Sequence, residues 1–282
     1  MGGNLTLIGA PGNLIAQSAL NQIGDGFGFF EYAKIGLPML VCGILYFVCF
    51  GHRLLPKGAG SSDPFSPTDT VKKDYADVPK WKQYMSLAIL LATIVGMIFE
   101  KKIGIPLHII GSVGAVLIVL TGVLTEKQAY RAIDSQTIFI FGGTLSLATA
   151  LETTGAGAAV ATTVIGLLGN EASPLLLLIV IFSIACLLTN FMSNTATTAL
   201  LVPIGLSIAA SIGADPRAVL MAIVIGGSCA YATPIGMPAN TMVLAAGGYR
   251  FMDYVRAGVP LIFVSGAVSI PLLLIFFPFF PG

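Results

Sequence analysis

The chain has 282 residues, of which 56% are hydrophobic and 10% are charged, and its formal net charge is +1. A soluble domain carries about 25% charged residues, so this composition excludes an ordinary soluble protein, and the near-neutral charge gives no indication of a nucleic-acid partner. An ionisable side chain at the centre of a bilayer costs about 3 kcal/mol, which explains why the acids and bases lie outside the long apolar runs. The composition predicts an all-α polytopic membrane protein.

Eight apolar runs approach or exceed the length of a membrane-spanning helix, which needs about 20 residues. In chain order they are residues 35–50, 84–99, 103–124, 137–151, 174–188, 196–212, 218–246 and 257–280. A segment rich in Gly, Ser, Pro and Asp separates the first run from the second, and it predicts a surface linker over residues 55–82.

The basic residues predict an orientation for these runs. If the linker is cytoplasmic, ten of the 14 Lys and Arg residues lie on the cytoplasmic side, which agrees with the positive-inside rule. We therefore expect a multi-pass protein of a cell membrane, of the kind found in the inner membrane of a bacterium or an archaeon, with a cytoplasmic linker.

Two blocks of sequence near the beginning recur near the end in the same order. Residues 6–13 (TLIGAPGN) share Thr, Ile, Gly, Pro and Asn in register with residues 233–240 (TPIGMPAN). Residues 29–38 share Phe, an acid, Tyr, a base, Gly and Pro with residues 251–260. In the predicted orientation the chain emerges outside after the first block and inside after its copy, so the two copies are inverted. Inverted repeats with Gly- and Pro-interrupted apolar segments indicate the binding site of a secondary transporter.

The interruption has a physical basis. Pro234 and Pro238 cannot donate backbone hydrogen bonds and Gly236 weakens a helix, so we expect the run 218–246 to break over residues 232–240. Broken backbone at membrane depth is tolerated only where it is buried in protein or lines a cavity, and there its carbonyls can bind a cation and its amides an anion. A simple proline kink is the alternative. The corresponding residues of the first copy are Thr6, Gly9 and Asn13.

A short polar segment, residues 189–195 (TNFMSNT), separates the runs 174–188 and 196–212. Two full crossings joined by a tight turn, and a re-entrant hairpin whose tip stops within the membrane, both fit these lengths. The density of small hydrogen-bonding side chains favours a re-entrant hairpin over residues 173–212, because such groups suit a neutral site for a desolvated ion.

The sequences SNTATTALLVPI at residues 193–204, ATPIGMPAN at 232–240 and GGYRF at 247–251 are similar to those of the divalent anion:sodium symporter family, within the ion transporter superfamily. The resemblance covers essentially the whole chain. It implies sodium-coupled symport of a dicarboxylate, a tricarboxylate or sulfate by homodimers with an elevator-like movement. It implies that the substrate meets Ser193, Asn194, Thr195 and Thr233, and that a sodium ion is bound by Thr189, Met192, Asn194 and Ala232.

In one respect the chain departs from the family pattern. It contains a single Ser-Asn-Thr sequence, whereas the family has one in each repeat. We therefore expect residues 1–54 to be the end of an incomplete first repeat, and residues 83–282 to be the second repeat, with its broken helix over 216–246. On this interpretation the chain is a truncated product, a mis-called start or one piece of a split transporter, and alone it neither transports nor folds stably.

Two other functions are compatible with the sequence. Anion efflux or cation/proton antiport occurs elsewhere in the superfamily, but antiport would favour an acid within the membrane, and Asp134 and Glu152 lie near the ends of a run. A non-transporting fragment or assembly partner is the other. An enzyme is not expected, because the runs contain no nucleophile–base pair and no metal-ligand cluster.

Overall fold

The computed structural model describes residues 1–55, 78–133, 135–156, 173–247 and 249–280, together with residues 159, 162, 163 and 166. In these ranges all regular secondary structure is helical. The principal helices are α1 (Pro11–Gln22), α2 (Ala33–Tyr46), α3 (Lys80–Ile98), α4 (Leu107–Leu120), α5 (Glu126–Ala132), α6 (Ser135–Thr153), α7 (Pro174–Thr189), α8 (Asn194–Ile212), α9 (Pro216–Gly227), α10 (Pro238–Gly247) and α11 (Phe251–Phe276).

Four helices of the described chain are long and apolar enough to cross a membrane: Ala33–Leu54, in which a π-helical turn extends α2, and the helices α3, α8 and α11. Large apolar side chains on them face outwards, as shown by Phe263 of α11, which is 74% exposed. Such a surface suits lipid and not water. The expectation of an all-α polytopic membrane protein is confirmed. Of the predicted linker 55–82, residues 56–77 lie outside the described residues.

The helices belong to two compact units, Met1–Pro64 with Thr137–Gly282, and Phe65–Gln136. In the second of these, α3 packs against α4. Gly114 allows their close approach, since a Cβ atom there would lie 2.3 Å from the Thr93 hydroxyl. Thr125 starts α5 with a capping box that it forms with Gln128.

The larger unit is built around α9, whose residues 218–227 are all buried. A helix that is apolar on every side is expected at the centre of a helical protein, and α9 packs against α1, α7, α8 and α11. The helices α7 and α8 form a hairpin with a four-residue connection, residues 190–193. The helix α2 also packs against α11.

An ion pair joins the segment before α2 to the start of α9. The Arg217 guanidinium donates from Nη2 to Glu31 Oε1 at 2.6 Å, and its Nε lies 3.8 Å from Asp25 Oδ2. The Phe27 ring lies 5.6 Å from the guanidinium carbon. Lys34 also approaches Glu31, at 3.7 Å, but its side chain is 45% exposed, against 28% for Arg217.

In the protein expressed from its whole reading frame, we expect Arg217→Gln to lower the unfolding midpoint in detergent by about 6 °C. A charge-assisted hydrogen bond of this kind contributes about 2 kcal/mol, and in a unit of this size 1 kcal/mol corresponds to about 3 °C. Lys34→Gln is the matched control. It should change the midpoint by about 1 °C or less, because exposed ion pairs contribute little. Equal shifts in the two variants would contradict the assignment of stability to the Arg217–Glu31 pair.

Candidate functional site

Buried polar side chains are concentrated at helix ends in the larger unit. Among the described residues they are Asn4, Asn13, Thr189, Asn190, Thr197, Thr198, Ser228, Thr233, Ser265 and Ser269. All but the last two belong to residues 4–13 at the start of the chain, which we call the first broken segment, to the tip of the α7–α8 hairpin, or to the segment after α9. Burying polar groups costs free energy unless they are hydrogen-bonded, so a cluster of them inside a membrane protein indicates a functional site.

The segment after α9 is broken, but at different positions from those predicted. The break was expected over residues 232–240, whereas the helix ends at Gly227 and residues 228–237 are not helical. The helix stops early after the pair Gly226-Gly227, which favours helix less than other residues do. It resumes at Pro238, because the first position of a helix needs no backbone N–H donor.

The Asn190 side chain joins the hairpin tip to the broken segment. Its Nδ2 donates to the carbonyls of Cys186 at 2.7 Å and Cys229 at 3.2 Å, and its Oδ1 accepts from the Ala232 amide at 2.8 Å. The Thr233 hydroxyl donates to the Asn190 carbonyl. The bond to Cys186 lies within the end of α7, and the other three join the hairpin tip to residues 229–233. The tip and the broken segment are therefore linked directly by hydrogen bonds.

Thr189 adds a further link, because its hydroxyl donates to the carbonyl of Gly227, the last residue of α9. The donor of Thr189 is therefore in use, and its hydroxyl oxygen keeps acceptor capacity. This is compatible with an oxygen that binds a cation. The side chain itself is completely buried.

Asn240, in α10, hydrogen-bonds to the backbone of the broken segment through its side chain. Its Nδ2 donates to the carbonyls of Ala230 at 2.7 Å and Thr233 at 2.9 Å. The Tyr254 hydroxyl of α11 donates to the Asn240 carbonyl at 2.6 Å. The side chain of one residue thus replaces part of the hydrogen bonding that the broken helix has lost.

Asn13 does the same in the first block. Its Nδ2 donates to the carbonyls of Gly3 at 3.0 Å and Thr6 at 2.9 Å, and the Tyr32 hydroxyl donates to the Asn13 carbonyl at 3.4 Å. In both blocks the asparagine bonds the carbonyls seven and ten residues before it. The residues that match in the sequence therefore make equivalent hydrogen bonds.

Two glycines extend this equivalence. A Cβ atom at Gly36 of α2 would lie 2.0 Å from the Asn4 carbonyl oxygen, and one at Gly258 of α11 would lie 2.1 Å from that of Tyr231. Gly36 matches Gly258 in the sequence alignment of the blocks, and Asn4 occupies the position of Tyr231. In each case a long helix approaches the broken backbone so closely that only glycine fits.

Asn194 is the first residue of α8, and its side chain lies near both α1 and α9. Its Oδ1 accepts from the Thr198 hydroxyl at 3.4 Å. A Cβ atom would lie 3.2 Å from this oxygen if added at Gly12 of α1, and 3.4 Å from it if added at Gly227 of α9. The amide of Asn194 is thus within reach of helices from both ends of the chain. Ser193 caps α8, since its Oγ accepts from the Ala196 amide at 3.2 Å.

The predicted site residues differ in how far they are buried. Thr189, Ala232 and Thr233 are buried and are linked through Asn190 and Gly227. The more accessible ones are on the tip: Met192 and Ser193 are exposed, and Asn194 and Thr195 are half-buried. Of the first-block residues, Asn13 is buried and holds the carbonyl of Thr6, while Gly9 is exposed.

Sequence reasoning did not select several residues that organise this site. Asn190 was within the polar tip, but nothing distinguished it from its neighbours. Tyr32 and Tyr254 did carry a signal, because both belong to the matched blocks. Gly12 and Gly227 could not be recognised, because their role depends on how closely α1 and α9 approach Asn194.

The site contains no charged side chain, since residues 3–13, 189–198 and 228–240 include no Asp, Glu, Lys, Arg or His. Within the described residues there is also no group of three His, Cys, Asp or Glu side chains that could hold a transition metal. What the site offers a ligand is hydroxyl, amide and carbonyl oxygens and the amino-terminal ends of α1, α8 and α10. A groove of about 760 Å³ between α7 and α11 reaches Asn190 and Thr233.

The family model described as CitMHS, citrate transporter, matches the chain twice, over residues 1–226 and 98–282. The chain belongs to the citrate transporter family. The family model and the relatives are named for transport and not for an enzymatic reaction, which confirms the expectation of a chain from a transporter family.

Relatives of this citrate transporter family member include proteins named for sodium-dependent transport. An uncharacterised transporter of Methanocaldococcus jannaschii is 28% identical over 95% of the chain and 60% of its own length. The sodium-dependent dicarboxylate transporter SdcS of Staphylococcus saprophyticus is 23% identical over 88% of the chain and 51% of its own length. Sodium/sulfate cotransporter 2 of Chlamydomonas reinhardtii is 28% identical over 64% of the chain and 21% of its own length.

These relatives confirm the resemblance to the divalent anion:sodium symporters of the ion transporter superfamily. The chain spans less than two thirds of the length of each of them.

Proposed function

We propose that this protein takes part in sodium-coupled symport of a divalent anion, a di- or tricarboxylate or sulfate, by an elevator-like alternating-access movement. The observation that carries the proposal is the pair of equivalent broken segments, held by Asn13 and Asn240, whose neighbouring helices α1 and α9 approach the uncharged tip at Asn194. A transporter of this kind binds its ligands where two repeats meet.

Sodium is the cation that suits these ligands. Its proposed ligands are oxygens of Thr189 and Asn194 and the carbonyls of Met192 and Ala232. Neutral hydroxyl, amide and carbonyl oxygens are hard donors that favour ions such as sodium over transition metals. Thr189 is fixed by its bond to Gly227, and Ala232 by its bond to Asn190, so two of the four positions are held by residues that do not bind the ion themselves.

The anion is proposed to bind beside this ion, at Ser193, Asn194, Thr195 and Thr233. No Lys or Arg lies in the site segments, so positive potential has to come from bound sodium and from the amino-terminal ends of helices. The hairpin tip supplies the start of α8, and the broken segment supplies the start of α10. This arrangement makes anion binding depend on sodium, which is the physical requirement for coupled symport.

Support for the substrate class comes from the names of the relatives, which include a sodium-dependent dicarboxylate transporter and sodium/sulfate cotransporters. The remaining proposals rest on the sequence. They are that residues 1–54 and 83–282 belong to inverted repeats, that Thr6 and Gly9 contribute to the site with Asn13, and that the protein acts as a homodimer in a cell membrane.

Sodium-driven uptake is the direct test. The protein, expressed from its whole reading frame, is reconstituted into liposomes and offered labelled succinate, citrate or sulfate with an inward sodium gradient, with choline replacing sodium as the control. We expect one of the three anions to accumulate at least tenfold more with the sodium gradient. Uptake of all three that is indifferent to sodium, or driven equally by a proton gradient, would contradict the proposal.

A further inference from the structure

In each broken segment an asparagine side chain hydrogen-bonds to two backbone carbonyls, and a tyrosine hydroxyl hydrogen-bonds to the carbonyl of that asparagine. We name Asn13 with Tyr32 the first clamp, and Asn240 with Tyr254 the second clamp. We propose that the second clamp is a positioning element, which sets the apparent affinity for sodium by fixing the backbone of residues 230–233. This inference rests on the proposed function, because it concerns the same ion site.

The second clamp replaces hydrogen bonds that the break removes. A side-chain amide has two N–H donors, and Asn240 directs its nitrogen to the carbonyls of Ala230 and Thr233. These two carbonyls lie on either side of the Tyr231–Ala232 pair, so a single side chain holds that pair from both directions. The Tyr254 hydroxyl then ties the Asn240 backbone to α11.

The residues held in this way are those proposed to contact the ligands. Ala232 lies between the two clamped carbonyls and donates its amide to Asn190 Oδ1. Thr233 offers its carbonyl to the second clamp and its hydroxyl to the Asn190 carbonyl. A ligand site needs its groups held to within about 0.5 Å. Loosening the second clamp should therefore weaken sodium binding even though neither clamp residue touches the ion.

The two clamps differ in their surroundings. Asn13 and Tyr32 are completely buried, whereas Asn240 and Tyr254 are half-buried and line a cavity of about 250 Å³ with Tyr249. The tyrosine bond is 2.6 Å in the second clamp and 3.4 Å in the first. Because the second clamp is half-buried beside a cavity, the packing can tolerate a substitution there. Because its tyrosine bond is short, that substitution should remove a strong hydrogen bond.

The test uses Tyr254→Phe and Asn240→Leu, with Tyr249→Phe as the matched control. Tyr249 lines the same cavity and its ring centroid lies 6.4 Å from that of Tyr254, but it is not part of the clamp. The full-length protein in detergent is examined in two ways. Hydrogen exchange measures the amides of residues 228–237, and the rise of the unfolding midpoint with sodium concentration gives the half-saturating concentration.

We expect about fivefold faster exchange in residues 228–237 and about a fivefold higher half-saturating sodium concentration for Tyr254→Phe, since one hydrogen bond is worth about that factor. Asn240→Leu should show larger changes in both, and Tyr249→Phe neither. The unfolding midpoint without sodium should fall by no more than about 3 °C in Tyr254→Phe, so a loss of sodium response larger than general instability of that size would cause is a sign of positioning.

Two results would overturn the inference alone: unchanged exchange in both variants, or faster exchange with an unchanged half-saturating concentration in a protein that responds to sodium. A wild-type protein whose midpoint does not respond to sodium would overturn the proposed function as well, and it would be recognised before any variant is compared.

Discussion

Asn194→Ala should lower sodium-dependent uptake by about 100-fold while leaving expression and the unfolding midpoint close to those of the wild type. The amide of Asn194 is proposed to serve both the ion and the anion, and each hydrogen bond or ion contact to a charged group is worth about 1.5–3 kcal/mol. Among the residues that the structure describes, its Oδ1 has one side-chain partner, the Thr198 hydroxyl at 3.4 Å. Removing the amide therefore costs little in folding and much in binding.

The control for this variant is Asn21→Ala. Asn21 is exposed on α1, where its Oδ1 accepts from the Gln17 side chain at 3.2 Å, so the same chemical change is made outside the site. Initial rates of uptake into proteoliposomes, at matched protein density, compare the two. Near wild-type uptake by Asn194→Ala would show that the hairpin tip is not the ligand site, whereas equal loss in both variants would indicate a general effect of the substitution.

Much of the architecture could be predicted because the lipid bilayer constrains sequences strongly. Of the eight apolar runs, 35–50, 84–99, 196–212 and 257–280 coincide with the four helices of the described chain that are long enough to span a membrane, since only apolar residues can face lipid over that length. Pro234, Gly236 and Pro238 indicated a break because their effect on a helix is local. The exact position of the break was harder to predict, because the stop at Gly227 depends on its neighbours in the sequence and in space.

The hydrogen-bond partners inside the site could not be predicted in the same way. The repeat showed that Asn13 and Asn240 correspond, and their sequence separation from Thr6 and Thr233 is fixed. It did not show that their side chains turn back to those carbonyls, nor that Asn190 faces Cys229 and Ala232. Such contacts join residues about 40 positions apart, and they depend on the packing of α7 against α9. The roles in ligand binding stay predictions.

The glycines beside the broken segments give the second large effect. Gly258→Ala should abolish uptake and lower the unfolding midpoint, because the new Cβ atom would lie 2.1 Å from the Tyr231 carbonyl oxygen and 2.4 Å from its carbon. Non-bonded carbon and oxygen atoms need more than 3 Å, and backbone cannot turn aside as a side chain can. Overpacking of this kind costs about 1–3 kcal/mol or more, and here it displaces the residue next to Ala232.

Gly266→Ala, two turns further along α11, is the matched control. Its Cβ atom would meet the edge of the Phe182 ring at 3.3 Å, a side chain that can shift by the few tenths of an ångström required. Alanine also favours a helix over glycine by about 1 kcal/mol, so the expected net effect on the midpoint is small.

Gly36→Ala should resemble Gly258→Ala, since its Cβ atom would lie 2.0 Å from the Asn4 carbonyl oxygen. If uptake and midpoint were the same in Gly258→Ala as in Gly266→Ala, the close approach of α11 to the broken segment would be wrong. Loss in both Gly36→Ala and Gly258→Ala, with Gly266→Ala active, would indicate that both broken segments need a long helix packed directly against their backbone.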